Sequence, residues 1–386
     1  MNQNELKYWI ALKSVEGVGN IGFKNLIDAL GSPRDVFNTP FNTLTVVPGI
    51  GRKTAGRICD FDDWRKSEEE VELIRKHDAR ILTYKDPFYP KGLLNIYDFP
   101  VLLYVKGKLR DDDVNIAVVG SRSASTYGKF STERLCRQLV LKGITVVSGL
   151  ARGIDSAAHR GALAGGGRTI AVLGCGLDII YPPENEKLLR EIANYGAVIT
   201  EFPFGTPPNA PNFPARNRII SGVSLGVVVV EANEKSGSLI TARLALEQGR
   251  EVFAVPGTID SAGSRGTHKL IKQGAKLIEN VDDILDEILP QVENTAKAPL
   301  HGGDNSENSH CTDSREDDKK QETKVFGGLT DNENNVVKVL SSGAADVDGI
   351  ITTTNLKAPD VLNILLTLEL RGIIKQLPGK KYIVKE

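Results

Sequence analysis

The sequence is short of four things. Its four cysteines, Cys59, Cys136, Cys175 and Cys311, are widely scattered with no CxxC spacing, so neither a zinc site nor a disulfide framework follows from them. No apolar run reaches the roughly 20 residues that cross a bilayer as a helix. The opening MNQNELKYWIALKSVEGVG lacks the charged lead, apolar segment and cleavage site of a secretory signal. Net charge is missing too: 48 Lys and Arg against 49 Asp and Glu leave −1. That excludes a polybasic protein, and any contact with nucleic acid has to come from a local patch. The expectation is a soluble, cytoplasmic chain with no membrane contact, no metal and no cofactor.

What is present suffices for folding. At 386 residues the chain is long for one domain and suggests two or three. With 40% hydrophobic and 25% charged residues it has ordinary globular composition. Residues 1–80 alternate helical apolar patterns with short glycine turns and read as a helical, helix-hairpin-helix or SAM-like domain. Residues 81–113 are a proline- and tyrosine-rich bridge into a domain that extends to 290. There, short β-branched runs (NIAVVG, ITVVSG, TIAVLG, AVIT, LGVVVVEA, EVFAVPG, AKLIE) alternate with helical stretches. Strands this uniformly apolar are buried on both faces, as in a parallel sheet covered by helices. The fold class is therefore α/β, an extended Rossmann-like, doubly wound, mostly parallel sheet. Residues 291–325 are polar and charged, and such a stretch is expected to be a disordered linker. Residues 326–386 read as short helices followed by a hairpin, GIIKQLPGKKYIVK, a winged-helix pattern.

Two glycine–apolar–glycine turns, Gly17–Gly19 and Gly49–Gly51, each precede a helical stretch. Such turns present backbone N–H groups at a helix start, where a phosphate oxygen can be held. Two hairpins can equally pack on each other as a small helical domain, and residues 1–60 carry only seven basic against five acidic side chains.

The richer signal lies at the strand ends. The first run ends in GSRSASTYG, Gly120 to Gly128, a turn of small residues opening a helix, where doubly wound folds bind anions. It has neither GxGxxG nor the GKS or GKT of a P-loop, but it carries Arg122, whose planar fork suits phosphate. Ser121 and Ser125 can alternatively serve as helix caps. The second run ends in SGLARGIDSAAH, with Ser148, Gly149 and Arg152; His159 follows within a helix, where a packed role is more usual than catalysis. The third leads to GLDIIYP, with Asp178 and Tyr181. After the fourth comes NFPARNRIISG, where Phe213, Arg216, Asn217 and Arg218 cluster. Residues 115–225 hold 12 basic against 7 acidic side chains. Arginines beside an aromatic suit a single-stranded backbone, with phosphates on guanidinium groups and bases on rings; a phosphorylated small molecule would suit the same chemistry.

The ordered series GSRSASTYG, SGLARGIDSAAH, GLDIIYP, FPARNRIISG, SGSLITA, VFAVPG and GTHKLIKQGA, with the bridge FYPKGLLNIYDFPVLLYVKG, resembles the DNA-processing protein A family, also called Smf. The resemblance covers about residues 5–290 and, more loosely, the last 60. It implies a bacterial cytoplasmic protein that binds single-stranded DNA, loads the RecA recombinase onto it and protects incoming strands in natural transformation and homologous recombination. It further implies a homodimer through the Rossmann-like domain and no enzymatic activity. Carried over, the DNA-binding residues are Gly120, Ser121, Arg122, Ser148, Gly149, Phe213, Arg216, Asn217 and Arg218. SGSLITA, Ser236 to Ala242, is a family hallmark that reads as a serine-capped helix start.

The C-terminal segment departs from a groove reader: 326–386 carry seven basic and seven acidic groups, and the expected recognition helix APDVLNILLTLELRG, with Asp360 and Glu369, is largely apolar. A helix entering a major groove presents basic and amide groups, so a protein-contact role is favoured. The competing reading is a nucleotide sensor or a phosphoribohydrolase-like enzyme using the same pocket. Such hydrolases carry PGGxGTxxE, whereas AVPGTIDSAGSRGTHKL has a broken glycine run and no glutamate after GT. Asp155, Asp178 and Glu201 lie near strand ends without metal-ligand spacing, and ion pairs or caps account for them better.

Overall fold

The structure, a computed structural model, describes residues 3–296, 331–341, 345–354, 356, 361, 364–365, 367–369, 373–377 and 381–384. They fall into two compact units, Met1–His301 and Gly302–Glu386.

The first unit opens with α1 (Gln3–Ser14), α2 (Asn20–Leu30), α3 (Pro33–Phe37), α4 (Phe41–Leu44), α5 (Arg52–Cys59) and α6 (Trp64–Lys76). The α1–α2 and α4–α5 hairpins pack turn against turn. The Asn25 amide donates to Pro48 O at 2.9 Å, and Arg57 donates to Glu16 O at 3.1 Å while pairing with its carboxylate. Phe23, Leu26, Ile50 and Ile58 are buried between them.

A nine-stranded sheet follows: β1 (Arg80–Thr83), β2 (Leu102–Gly107), β3 (Val114–Val119), β4 (Ile144–Ser148), β5 (Thr169–Val172), β6 (Ala197–Thr200), β7 (Gly226–Val229), β8 (Glu251–Ala254) and β9 (Lys276–Leu277). Their order is β1-β2-β6-β5-β4-β3-β7-β8-β9. Every pairing from β6 to β9 is parallel, and each of the seven apolar runs supplies one of these strands. The bridge does more than connect. Leu102–Gly107 pairs antiparallel with β6, and β1 pairs antiparallel with β2, because the run Leu102–Val105 is buried on both faces.

The connecting helices are α7 (Thr126–Leu141), α8 (Ile154–Ala164), α9 (Glu186–Tyr195), α10 (Asn212–Gly222), α11 (Gly237–Glu247), α12 (Arg265–Lys272) and α13 (Asp282–Ala296). One core joins side chains of the N-terminal helices, such as Trp9 and Phe23, to Leu103, Val172 and Ile219. A second core packs Leu135, Cys136 and Leu139 of α7, Ala158 of α8 and Ile284 of α13 against Ile116, Val118, Val146 and Val228. Helix α13 runs through Ala296, into the stretch expected to be linker; residues 297–325 of that stretch lie outside the described residues.

The second unit contains α14 (Asp331–Ser341), β10 (Ala345–Asp346), α15 (Val347–Thr354), β11 (Ile374–Leu377) and β12 (Lys381–Val384), with the antiparallel sheet ordered β10-β12-β11. This is the winged-helix arrangement. Val361, Leu365 and Leu368 of the expected recognition helix are buried beside Val336, Leu340 and Ile350; their spacing of four and three marks one helix face. Asp360 lies outside the described residues.

Candidate nucleic-acid interface

In the parallel sheet, β4, β5 and β6 lie to one side of β3, and β7, β8 and β9 to the other. The chain thus reverses direction of growth between β3 and β7, and the crevice outside the strand ends at such a point is where open α/β sheets bind ligands. A cavity of about 670 Å³ sits there. Its wall comes from the turns after β3, β4, β5 and β7 and from α10, so the successive strand ends singled out in the sequence do converge.

The turn after β3 holds Gly120, Ser121 and Arg122. The Ser121 amide donates to Glu231 O at 2.7 Å, and Ser121 O accepts from the Ile154 amide at 3.1 Å. A Cβ at Gly120 would lie 2.6 Å from Ile154 Cγ1, so only glycine allows this approach. Glu231, at the end of β7, turns its carboxylate to the start of α7, accepting from the Ser125 amide at 2.9 Å and the Ser125 hydroxyl at 2.5 Å. The Ser125 Oγ in turn caps the helix by accepting from the Gly128 amide at 2.9 Å. The helix start expected to cradle a phosphate is therefore filled by the protein's own carboxylate, which satisfies the dipole and the free N–H groups there. Arg122 remains exposed. Its guanidinium lies 5.2 Å from the Phe213 ring centroid and pairs with no carboxylate among the described residues.

Helix α10 supplies the other wall. Phe213 is partly buried, with the Tyr181 ring 5.7 Å away and the Arg216 guanidinium at 6.0 Å. Arg216 itself is 3% exposed. Its Nη1 donates to Gly149 O at 2.7 Å and to Val172 O, and its Nε donates to Asn217 Oδ1 at 3.2 Å. It thereby ties the ends of β4 and β5 together, and Gly149 has to be glycine because a Cβ would meet the guanidinium at 2.6 Å. Burial pushes the Arg216 pKa down to about 10, opposed by the nearby Asp155 carboxylate; burial likewise raises Asp155, opposed by Arg216. Asn217 is partly buried and lines the cavity.

Arg218 does not reach this cavity. Two residues on a helix are separated by about 200°, and Arg218 points the other way, pairing with Glu201 and lying 3.6 Å from Asp98. Ser148 is fully buried and donates its hydroxyl to Val118 O at 2.7 Å, which makes it part of the sheet rather than the cavity wall. Asp178 accepts from the Gly205 amide at 2.9 and 3.0 Å, and Asp155 from the Ala151 amide at 3.3 Å. With Glu201 on Arg218, all three carboxylates have structural partners. Arg152 pairs with Glu184. His159 is fully buried with Nδ1 2.7 Å from Thr169 Oγ1. Because Thr169 donates its own proton to Val146 O, His159 Nδ1 is the donor.

Two groups of the cavity were not singled out as site residues in the sequence. Tyr181 follows β5, and Lys235 follows β7 beside Ser236, whose Oγ accepts from the Ser238 amide at 3.4 Å at the start of α11. Lys235 was legible by the same strand-end rule that found Arg122. Among the lining residues, Arg122, Arg216 and Lys235 face one carboxylate, Asp155. The local basic patch required by a neutral chain is here.

The model of the family described as DNA recombination-mediator protein A matches residues 80–289. The DprA winged helix domain model matches 325–380, and a SAM-like helix-hairpin-helix tandem matches 10–61. Protein Smf of Escherichia coli (strain K12) is 40% identical over 334 residues, 86% of this chain and 84% of that protein. The X-ray structure of DNA processing protein A from Streptococcus pneumoniae superposes with a TM-score of 0.64 at 39% identity, covering 73% of this chain and 97% of that one. DNA processing protein A from Helicobacter pylori, whose structure is described as giving insight into its single-stranded DNA binding mode, superposes with a TM-score of 0.50 at 33% identity, covering 55% and 97%.

Proposed function

Starting from the fact that the chain belongs to the DNA recombination-mediator protein A family, we propose that it binds single-stranded DNA in the switch-point cavity. The observation that carries this reading is Arg122: an exposed guanidinium without a carboxylate partner among the described residues, set against Phe213 in a cavity lined by three cations and one carboxylate. Phosphate fits the guanidinium fork, and the Phe213–Tyr181 pair offers a ring surface on which bases stack without sequence preference. Gly120 and Gly149 admit the close backbone approaches that shape the wall. Arg216 acts as a buried strut that fixes Phe213 and the β4 and β5 ends.

The bound strand is then handed to RecA, the chain acts as a homodimer through its sheet domain, and the setting is recombination or uptake of incoming DNA in the cytoplasm. The role is binding rather than catalysis, supported by the structural engagement of Asp155, Asp178 and Glu201. Val361, Leu365 and Leu368 are taken up by the unit's own core, so the protein-contact role of the winged helix rests on its balanced charge, seven basic against seven acidic groups in 326–386, which gives a phosphate backbone no net attraction.

The test is fluorescence anisotropy of a labelled single-stranded oligonucleotide with duplex and mononucleotide competitors. Preference for the single strand over both is expected. Displacement by a mononucleotide at far lower concentration would replace this reading with a nucleotide sensor. RecA handover is checked by the rate of RecA filament growth on single strands with and without the protein, and dimerisation by sedimentation velocity.

A further inference from the structure

Helix α7 begins immediately after the Arg122 turn, and its outer face is unusual for a surface helix. Tyr127, Phe130 and Leu141 are 67%, 64% and 67% exposed, and Arg134 and Arg137 are exposed between them. Steps of three, four, three and four residues place all five on one stripe, which at about 1.5 Å per residue runs roughly 21 Å along the surface. Neither arginine is in an ion pair among the described residues. The carboxylates nearby are otherwise engaged or peripheral: Glu133 is partly buried, and Asp282 pairs with Lys142. Glu279 lines a hollow of about 220 Å³ together with Tyr127 and Arg134, and Val230 and Pro256 are also among its walls. Val230 adjoins Glu231, the residue bonded to both Ser121 and Ser125, so the hollow and the switch-point cavity flank the same strand ends.

Resting on the single-strand reading above, we infer that this stripe is a second segment of the strand's path. Bases stack on Tyr127 and Phe130, with the hollow admitting one ring, and phosphates meet Arg134 and Arg137. Exposed aromatics followed along one helix face by arginines outside any ion pair among the described residues are what a sequence-tolerant single-strand track requires. Continuity with Arg122 through the α7 start supplies the direction.

The experiment compares a short oligonucleotide of about 5 nucleotides with a long one of about 20 on the full chain, using Tyr127→Ala/Phe130→Ala and Arg134→Glu/Arg137→Glu. Both variants should bind the short strand as wild type does and the long strand on the order of tenfold more weakly. The charge-reversal variant should also lose about 1.4 units or more of salt slope on the long strand, at about 0.7 per phosphate contact. Arg134→Lys/Arg137→Lys should keep the slope, which separates lost charge from lost folding. Unchanged long-strand affinity and slope overturn the inference. So does a change in sedimentation coefficient of the DNA-free protein with the slope intact, which would make the stripe an interface between copies. Failure of the cavity reading looks different: Arg122→Ala would then leave both lengths unaffected.

Discussion

Arg216 and Arg218 stand two residues apart on α10 and serve two regions of opposite character. Around Arg218, at the junction with the N-terminal helices, charge is balanced: Arg218 and Lys13 meet Glu201 and Asp98, with Asn20 donating to Asp98 at 2.9 Å and accepting from Lys13 at 2.6 Å. Burial lowers Lys13 and raises Glu201, each countered by the opposite charges beside it. Around Arg216 the balance is broken, since among the described residues Arg122 and Lys235 are in no ion pair. Both regions are rich in charge, but only the second leaves positive charge unspent toward solvent. Counting cations therefore locates neither; pairing them does.

The contrast can be broken most severely at Arg216. Arg216→Leu strands Asp155 and two carbonyl groups in the interior, and a loss of about 3–5 kcal/mol in urea unfolding is expected, with oligonucleotide binding lost alongside. Arg216→Lys should not restore it, because an ammonium lacks the fork. Arg218→Ala removes the ion-pair partner of Glu201 but leaves the Lys13 charge beside it, and should cost about 2–3 kcal/mol, below the roughly 3–5 of a buried carboxylate left wholly unpaired, while the folded protein keeps its oligonucleotide affinity. If affinity and salt slope fall with it, the junction belongs to the DNA path and the contrast collapses. Arg122→Ala should do the reverse: an unchanged melting temperature, affinity weaker by about 1.5–3 kcal/mol, roughly ten- to a hundredfold, and a slope shallower by about 0.7.

An effect of comparable size, visible only as pH falls, lies under the cavity. Burial, then the Arg216 charge, lowers the His159 pKa to about 3, against about 6.5 in an unfolded chain. The unfolded state takes up the proton first, so this group's contribution is intact above about pH 6.5 and is lost as pH falls toward 3, by at most about 1.4 kcal/mol per pH unit. His159→Asn should flatten that part of the stability profile between pH 7 and pH 5 in urea titrations.

The parallel sheet was legible because each strand is a short β-branched run and each ends in a turn of small residues. The seven strands and the converging rim follow from that pattern alone. β1 and β2 were not, since an antiparallel addition at the sheet flank leaves no alternating helix to announce it, and prolines surround it. The facing of Arg216 and Arg218 could have been separated by helical period once α10 was placed. The Glu231 carboxylate at Ser125 could not: 106 residues separate the pair, and only the β3–β7 adjacency brings them together.

That internal carboxylate has a bearing on avidity. A nucleotide-binding site gains much of its affinity for one phosphate from a vacant helix start, and here the α7 start already carries an anion. A single phosphate entering the cavity therefore finds the α7 start taken and is left with the Arg122 and Lys235 side chains and the start of α11. Affinity in such a molecule accumulates from several modest contacts made by one ligand, as each raises the effective concentration of the next. If the cavity holds a single strand as proposed, free nucleotides should compete poorly and a polymer long enough to reach the next contact should compete well.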